Sequence, residues 1–66
     1  MKYSVNLIMK NPDQAKFLID CKDTNDIVNA FEIANDLLHH NDVKGHFVEI
    51  VDNDSGEKIA GINEGE

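Results

Sequence analysis

Hydrophobic and polar positions alternate over the first 22 residues of the chain. KYSVNLIMK puts four apolar side chains on one side of an extended backbone: Tyr3, Val5, Leu7 and Met9. A period of two predicts a β-strand. NPDQ then supplies turn-forming residues. KFLIDCK predicts the returning strand, with Phe17, Ile19 and Cys21 on a shared face, so the segment as a whole predicts a β-hairpin.

The next segment, DTNDIVNAFEIANDLLHHND, changes to the period of a helix. At 100° per residue from Ile27, one broad arc is apolar and contains Ala30, Phe31, Ile33, Ala34, Leu37 and Leu38. Asp23 or Thr24 is expected to cap the first turn, with Asp26 adding favourable negative charge. Asn41 or Gly45 is expected to end the helix. The pattern predicts one amphipathic helix with a core face and a solvent face.

The last third of the chain repeats the hairpin pattern. HFVEIV and KIAGI predict two strands joined by DNDSGE, in which Gly56 can take the left-handed conformation of a hairpin bulge. The predicted fold is therefore α+β, a two-layer ββαββ domain in which one helix covers one face of a four-stranded, mainly antiparallel sheet. We expect a single domain over residues 1–62 and a disordered tail over residues 63–66.

The sheet face away from the helix is expected to be unusually apolar. Alternation places four hydrophobic residues there: Ile8, Leu18, Phe47 and Val51. Exposed patches of this kind often mark interaction sites. The sequence therefore predicts a protein-interaction module, with a homodimer packed sheet to sheet or another protein as its partner.

Composition narrows the classes of partner. The chain has 66 residues, a net charge of −7 and no arginine, which argues against direct nucleic-acid binding and against an anionic membrane surface. Residues 1–22 carry a net charge of +2 and residues 23–66 carry −9, so a basic protein partner is compatible with the second part. No apolar run is long enough for a signal peptide or membrane span, and we expect a cytoplasmic protein.

Reactive residues are few. Cys21 is the single cysteine, which excludes an internal disulfide and predicts a small buried apolar residue. No arrangement of Ser4, Ser55 or Cys21 with a histidine indicates a nucleophile and its base, and no glycine-rich phosphate loop is present. The sequence predicts a protein that is not an enzyme and that uses no cofactor.

All three histidines fall within HHNDVKGH. Adjacent His39 and His40 point about 100° apart on a helix and are poorly placed to share one ion. His39, Asp42 and His46 are the candidate metal ligands, although the helix dipole alone favours cations at this end. The alternative function is accordingly a small-ligand or metal-binding module that uses a dimer cleft or the His39, His40 and His46 cluster.

The solvent face of the predicted helix is a second interaction surface. Asp26, Glu32 and Asp36 are expected to offer negative charge to a basic partner or to act as a solvated surface. HFVEIVDNDSGEKIAGI resembles segments of small bacterial and phage ββαββ proteins. This resemblance implies no binding residues, and it favours an inhibitor or adaptor of phage or mobile-element type that acts on a host protein.

Overall fold

The computed structural model describes residues 1–10, 16–40 and 45–62. Within these ranges are β1 (Tyr3–Lys10), β2 (Lys16–Thr24), α1 (Ile27–His40), β3 (His46–Asp52) and β4 (Lys58–Ile62). The order is ββαββ and the strands form one antiparallel sheet, which confirms the predicted α+β fold. The NPDQ turn, the proposed helix end at Asn41 and the tail at residues 63–66 lie outside the described residues.

The strand order in the sheet is β2-β1-β3-β4. β1 and β3 pair in the centre of the sheet, where Val5 lies opposite Ile50 and Leu7 lies opposite Val48. The two hairpins are thus joined side by side through β1 and β3. β2 and β4 are the edge strands.

The core forms where the helix covers the central strands. Side chains from β1, β3 and α1 are buried together: Val5, Leu7, Ala30, Ala34, Leu37, Val48 and Ile50. The two helical alanines have small side chains that allow a close approach to the sheet. α1 makes most of its contacts with β1 and β3. Phe31, placed on the apolar arc by its spacing, is 40% exposed and is not part of this core.

The N-terminal cap of the helix is Asp26. Its Oδ1 accepts a hydrogen bond from the Val28 backbone N–H at 3.1 Å, and its carbonyl accepts the first helical bond from Ala30. Buried Thr24 supports this turn, because its Oγ1 accepts from the Asp26 N–H and from Asn29 Nδ2. The prediction that Asp23 or Thr24 caps the helix is therefore wrong.

The second hairpin turns through residues 52–57 and uses the predicted glycine. Gly56 has a φ of 76°, and its N–H donates to the Asp52 carbonyl at 2.7 Å. The Asp52 carboxylate also accepts from the Asp54 N–H at 2.9 Å, as is typical of Asp in turns.

Each edge strand contains a bulge. The pairing passes from Leu7 opposite Asp20 to Ile8 opposite Leu18, which leaves Ile19 as the extra residue of β2. Ile59 is the corresponding extra residue in β4. Beyond the first bulge Phe17 pairs with Met9 on the helix side, whereas Cys21 pairs with Asn6 on the other side. The prediction that Phe17, Ile19 and Cys21 share one face is therefore wrong.

Candidate interaction surfaces

The edge of the sheet at β2 exposes three consecutive large hydrophobic residues. Phe17, Leu18 and Ile19 are 48%, 63% and 47% exposed. They were expected to be divided between the core and the outer face, but the helix lies mainly over the central strands and covers them little. Their exposure follows from the edge position of β2, which the residue pattern alone does not reveal.

The face of the sheet away from the helix is called the outer face here. The pairing places Leu18, Ile8 and Phe47 in one row across it, with Val51 opposite Ser4 farther along. Leu18 is well exposed, whereas Phe47 is only 5% exposed. The predicted patch of four exposed hydrophobic residues is thus smaller than expected, because the Phe47 side chain is covered.

Lysine side chains surround Phe47 on this face. Lys16 Nζ lies 5.6 Å from the centroid of the Phe47 ring, a distance typical of a cation–π contact. Lys10, directly opposite Lys16 in the hairpin, and Lys58 from β4 line the same open cavity of about 180 Å³. Sequence reasoning missed this lysine cluster. The signal was available, because Lys10 and Lys16 flank the turn of the first hairpin at equal distances from its centre.

The three acidic residues assigned to the helix surface have different settings. Glu32 and Asp36 are one helical turn apart and exposed, as a solvent face requires. Asp26 precedes the helix, and its carboxylate caps the first turn. Of the three predicted residues, the acidic face of α1 therefore contains Glu32 and Asp36 but not Asp26.

The histidine cluster is only partly described. His39 is exposed near the end of α1, and His46 is half-buried opposite Met9 at the start of β3. Asp42 and the side chain of His40 lie outside the described residues. Over residues 1–10, 16–40 and 45–62, no three His, Cys, Asp or Glu side chains are grouped so that they could hold a metal ion.

Cys21 is exposed rather than buried. Residual desolvation, the Asp23 carboxylate and the Asp20 carboxylate, in that order, raise the pKa of its thiol, because each disfavours the thiolate. The thiol is consequently a poor nucleophile at neutral pH. The Cys21 N–H donates to Asp20 Oδ1 at 2.8 Å, so the same carboxylate also occupies a backbone donor of the edge strand.

Ser4 has carboxylate and amide neighbours. Its Oγ lies 2.8 Å from Asp23 Oδ1 and 3.0 Å from Asn53 Oδ1, and these two oxygens share its single hydroxyl proton. Asn53 in turn donates through Nδ2 to the Met1 carbonyl at 3.0 Å. This network ties the N-terminal residues to both hairpins.

No helix within the described ranges has the length and apolar character needed to cross a membrane. In comparisons with protein-family models, with curated proteins and with solved structures, nothing matches this chain. The surfaces described above therefore carry the functional argument.

Proposed function

We propose that this protein is a non-enzymatic protein-interaction module that associates with a second copy of itself through the edge strand β2. The observation that supports this proposal is the exposure of Phe17, Leu18 and Ile19 in one continuous run. Apolar side chains on an edge strand favour pairing with another strand, since the backbone donors and acceptors of that edge are also available.

The charge of β2 permits association with a second copy. Although the chain has a net charge of −7, β2 itself contains two lysines and two aspartates and has no net charge. Two molecules can therefore approach along this strand with less repulsion than along the acidic second hairpin.

The sequence of β2 is self-complementary about Leu18. In an antiparallel pair of β2 strands centred on this residue, Leu18 lies opposite the second copy's Leu18. Phe17 then lies opposite Ile19. These cross-strand pairs are apolar with apolar, which is a stabilising type. In a dimer with two-fold symmetry, the contact between Phe17 and Ile19 occurs twice, once on each side of the symmetry axis.

Asp20 limits how far such pairing extends. Its carboxylate accepts a hydrogen bond from the Cys21 N–H, so this backbone donor is not available to another strand. Natural edge strands limit association with further chains by devices of this kind. The paired segment is thus Lys16–Asp20. An interface this short buries less than the roughly 1,200 Å² of a stable specific complex, so we expect a weak dimer whose population depends on concentration.

Light scattering after size exclusion, over a range of protein concentrations and at low and high salt, tests the proposal. We expect the mass to approach that of a dimer as concentration rises, and to remain so at high salt because the contact is largely apolar. Leu18→Asp should give a folded monomer. Ile59→Asp is the matched control, since Ile59 is a 44% exposed bulge residue on the other edge strand.

A second variant tests the register. Ile19→Asp should weaken self-association as Leu18→Asp does, because a carboxylate then lies opposite the second copy's Phe17. Wild type that stays monomeric at all concentrations, or equal losses from Leu18→Asp and Ile59→Asp, would refute association through β2.

A further inference from the structure

The outer face of the sheet has charges of opposite sign at equal distances from an apolar row. This row contains Ile8 of β1 and Leu18 of β2, which pair with each other. Lys10 lies two residues from Ile8 toward the turn of the first hairpin. Glu49 lies two residues from Ile8 in the other direction, because it pairs with Asn6. At about 3.4 Å per residue, each charge is about 7 Å from the apolar row.

In the described strands, neither of these charges has an opposite charge directly across from it. Lys10 lies opposite Lys16, and like charges at such positions repel each other. Glu49 is half-buried between uncharged residues of β1 and β4. Asp23 and Lys58 lie in a row farther from the turn and have opposite signs. The outer face is therefore positive on one side of the apolar row and negative next to it on the other side.

This arrangement is self-complementary between two copies of the chain. Two outer faces can pack with antiparallel strands about a two-fold axis that runs along the apolar row. Each row of residues then meets the row equally far on the other side of the axis, so Lys10 meets the row of the second copy's Glu49. Packed sheets are about 10 Å apart, a distance that a lysine and a glutamate side chain can span between them. The apolar row meets itself in the centre.

We propose that the outer face binds the outer face of a second copy, with Ile8 and Leu18 in the centre and Lys10 paired with the second copy's Glu49. Leu18 is 63% exposed, and the core under α1 lies on the other side of the sheet. A four-stranded sheet of this length has a face of roughly 450 Å² per copy. Because stable complexes bury about 800 Å² per partner, this contact is weak alone.

The face-to-face contact does not depend on the pairing of two β2 strands, but it is compatible with that pairing. The axis of the β2 pair is perpendicular to the sheet and passes between the two Leu18 residues, so it crosses the axis along the apolar row. Two perpendicular two-fold axes that cross generate a tetramer with closed symmetry. Such a tetramer buries both contacts and forms at higher concentration than either pair.

Alkylation of Cys21 by excess iodoacetamide at constant pH distinguishes the two contacts. Cys21 is exposed on the outer face, where it pairs with Asn6, and it lies outside the Lys16–Asp20 segment of the β2 pair. Packing of two outer faces covers the thiol, so alkylation should slow several-fold as the protein concentration rises. A rate that is independent of protein concentration would overturn the proposal.

An exchange of charges between copies tests the contact in a second way. Lys10→Glu and Glu49→Lys should each weaken the face-to-face association about tenfold or more, because like charges then meet. An equimolar mixture should restore it, since opposite charges then meet in both contacts. Lys22→Glu is the matched control, because Lys22 pairs with Val5 on the helix side of the sheet. A mixture that associates no better than the single variants would refute the pairing of Lys10 with Glu49.

Ile19→Asp separates this contact from the β2 pair. This variant should lower the mass in light scattering but keep the dependence of Cys21 alkylation on concentration. If Ile19→Asp removes that dependence and Lys10→Glu leaves it unchanged, the face-to-face contact is refuted and the β2 pair stands. If Lys10→Glu removes it and Ile19→Asp changes neither mass nor alkylation, the β2 pair is refuted and the face-to-face contact stands.

Discussion

The Lys16 ammonium lies 5.6 Å from the centre of the Phe47 ring, on the face of the sheet that the helix leaves open. Phe47 is buried but does not belong to the core between helix and sheet. The contact joins an edge strand to β3 across the intervening β1. A lysine stem can cover apolar surface in this way while its charge stays in water.

The contribution of the Lys16 side chain to the stability of the fold can be measured. Lys16→Ala should lower the free energy of unfolding by about 1 kcal/mol, since both the stem packing and the cation–π contact are lost. Lys16→Met should cost less, because an unbranched apolar stem still covers the ring. Urea unfolding gives both values. Equal losses of unfolding free energy from the two substitutions would show that the charge of Lys16, rather than its stem, makes the stabilising contribution.

The cap at Asp26 predicts a second stability change. Asp26→Ala leaves the first-turn N–H of Val28 without its side-chain acceptor and should cost about 1 kcal/mol, within the range of roughly 0.5–2 kcal/mol for lost caps. Asp26→Asn retains an acceptor oxygen and should recover most of this. Urea unfolding of both variants provides the test, and an Asn variant as unstable as the Ala variant would contradict the assignment of the cap.

Two glycines with positive φ should differ in their tolerance of alanine. A Cβ at Gly56 (φ 76°) meets no heavy atom within 4 Å, so Gly56→Ala should cost only the backbone penalty of about 1 kcal/mol. At Gly45 (φ 96°) a Cβ would lie 3.2 Å from the Lys10 carbonyl oxygen. Gly45→Ala should therefore lower the melting temperature more than Gly56→Ala, and the reverse order would contradict this prediction.

Local patterns predicted the elements well. The alternation in KYSVNLIMK and the helical spacing after Ile27 reflect which side chains face a core. The structure confirms the strand and the helix that these patterns predicted. The turn at Gly56 also followed from local chemistry, since a left-handed residue is required there. These predictions needed no knowledge of which strands are neighbours.

Which residues lie on exposed surfaces depends on the order of the strands in the sheet, and this order could not be predicted from the sequence. Phe17 and Ile19 are exposed because β2 is an edge strand with a bulge. The alternation of apolar and polar residues does not show where a bulge adds an extra residue to a strand. The contact between Phe47 and Lys16 was missed for a related reason. It joins β3 to a strand that is not its direct neighbour.

The thiol of Cys21 should react at higher pH in the folded protein than in the unfolded chain. Desolvation and the carboxylates of Asp23 and Asp20 raise its pKa in the fold, and the thiolate is the reactive form. The rate of alkylation by iodoacetamide, measured against pH for the native and the urea-unfolded protein, should therefore rise later in the native protein.

Asp23→Asn isolates one cause of that shift. Removal of its negative charge makes the thiolate less unfavourable, so the native profile should move toward lower pH and alkylation at a fixed mildly alkaline pH should become faster. Glu32→Gln, which makes the same change of charge on the exposed face of α1, should leave the profile nearly unchanged. If native and unfolded profiles coincide, or if both variants shift the profile equally, the carboxylates next to Cys21 do not control its reactivity.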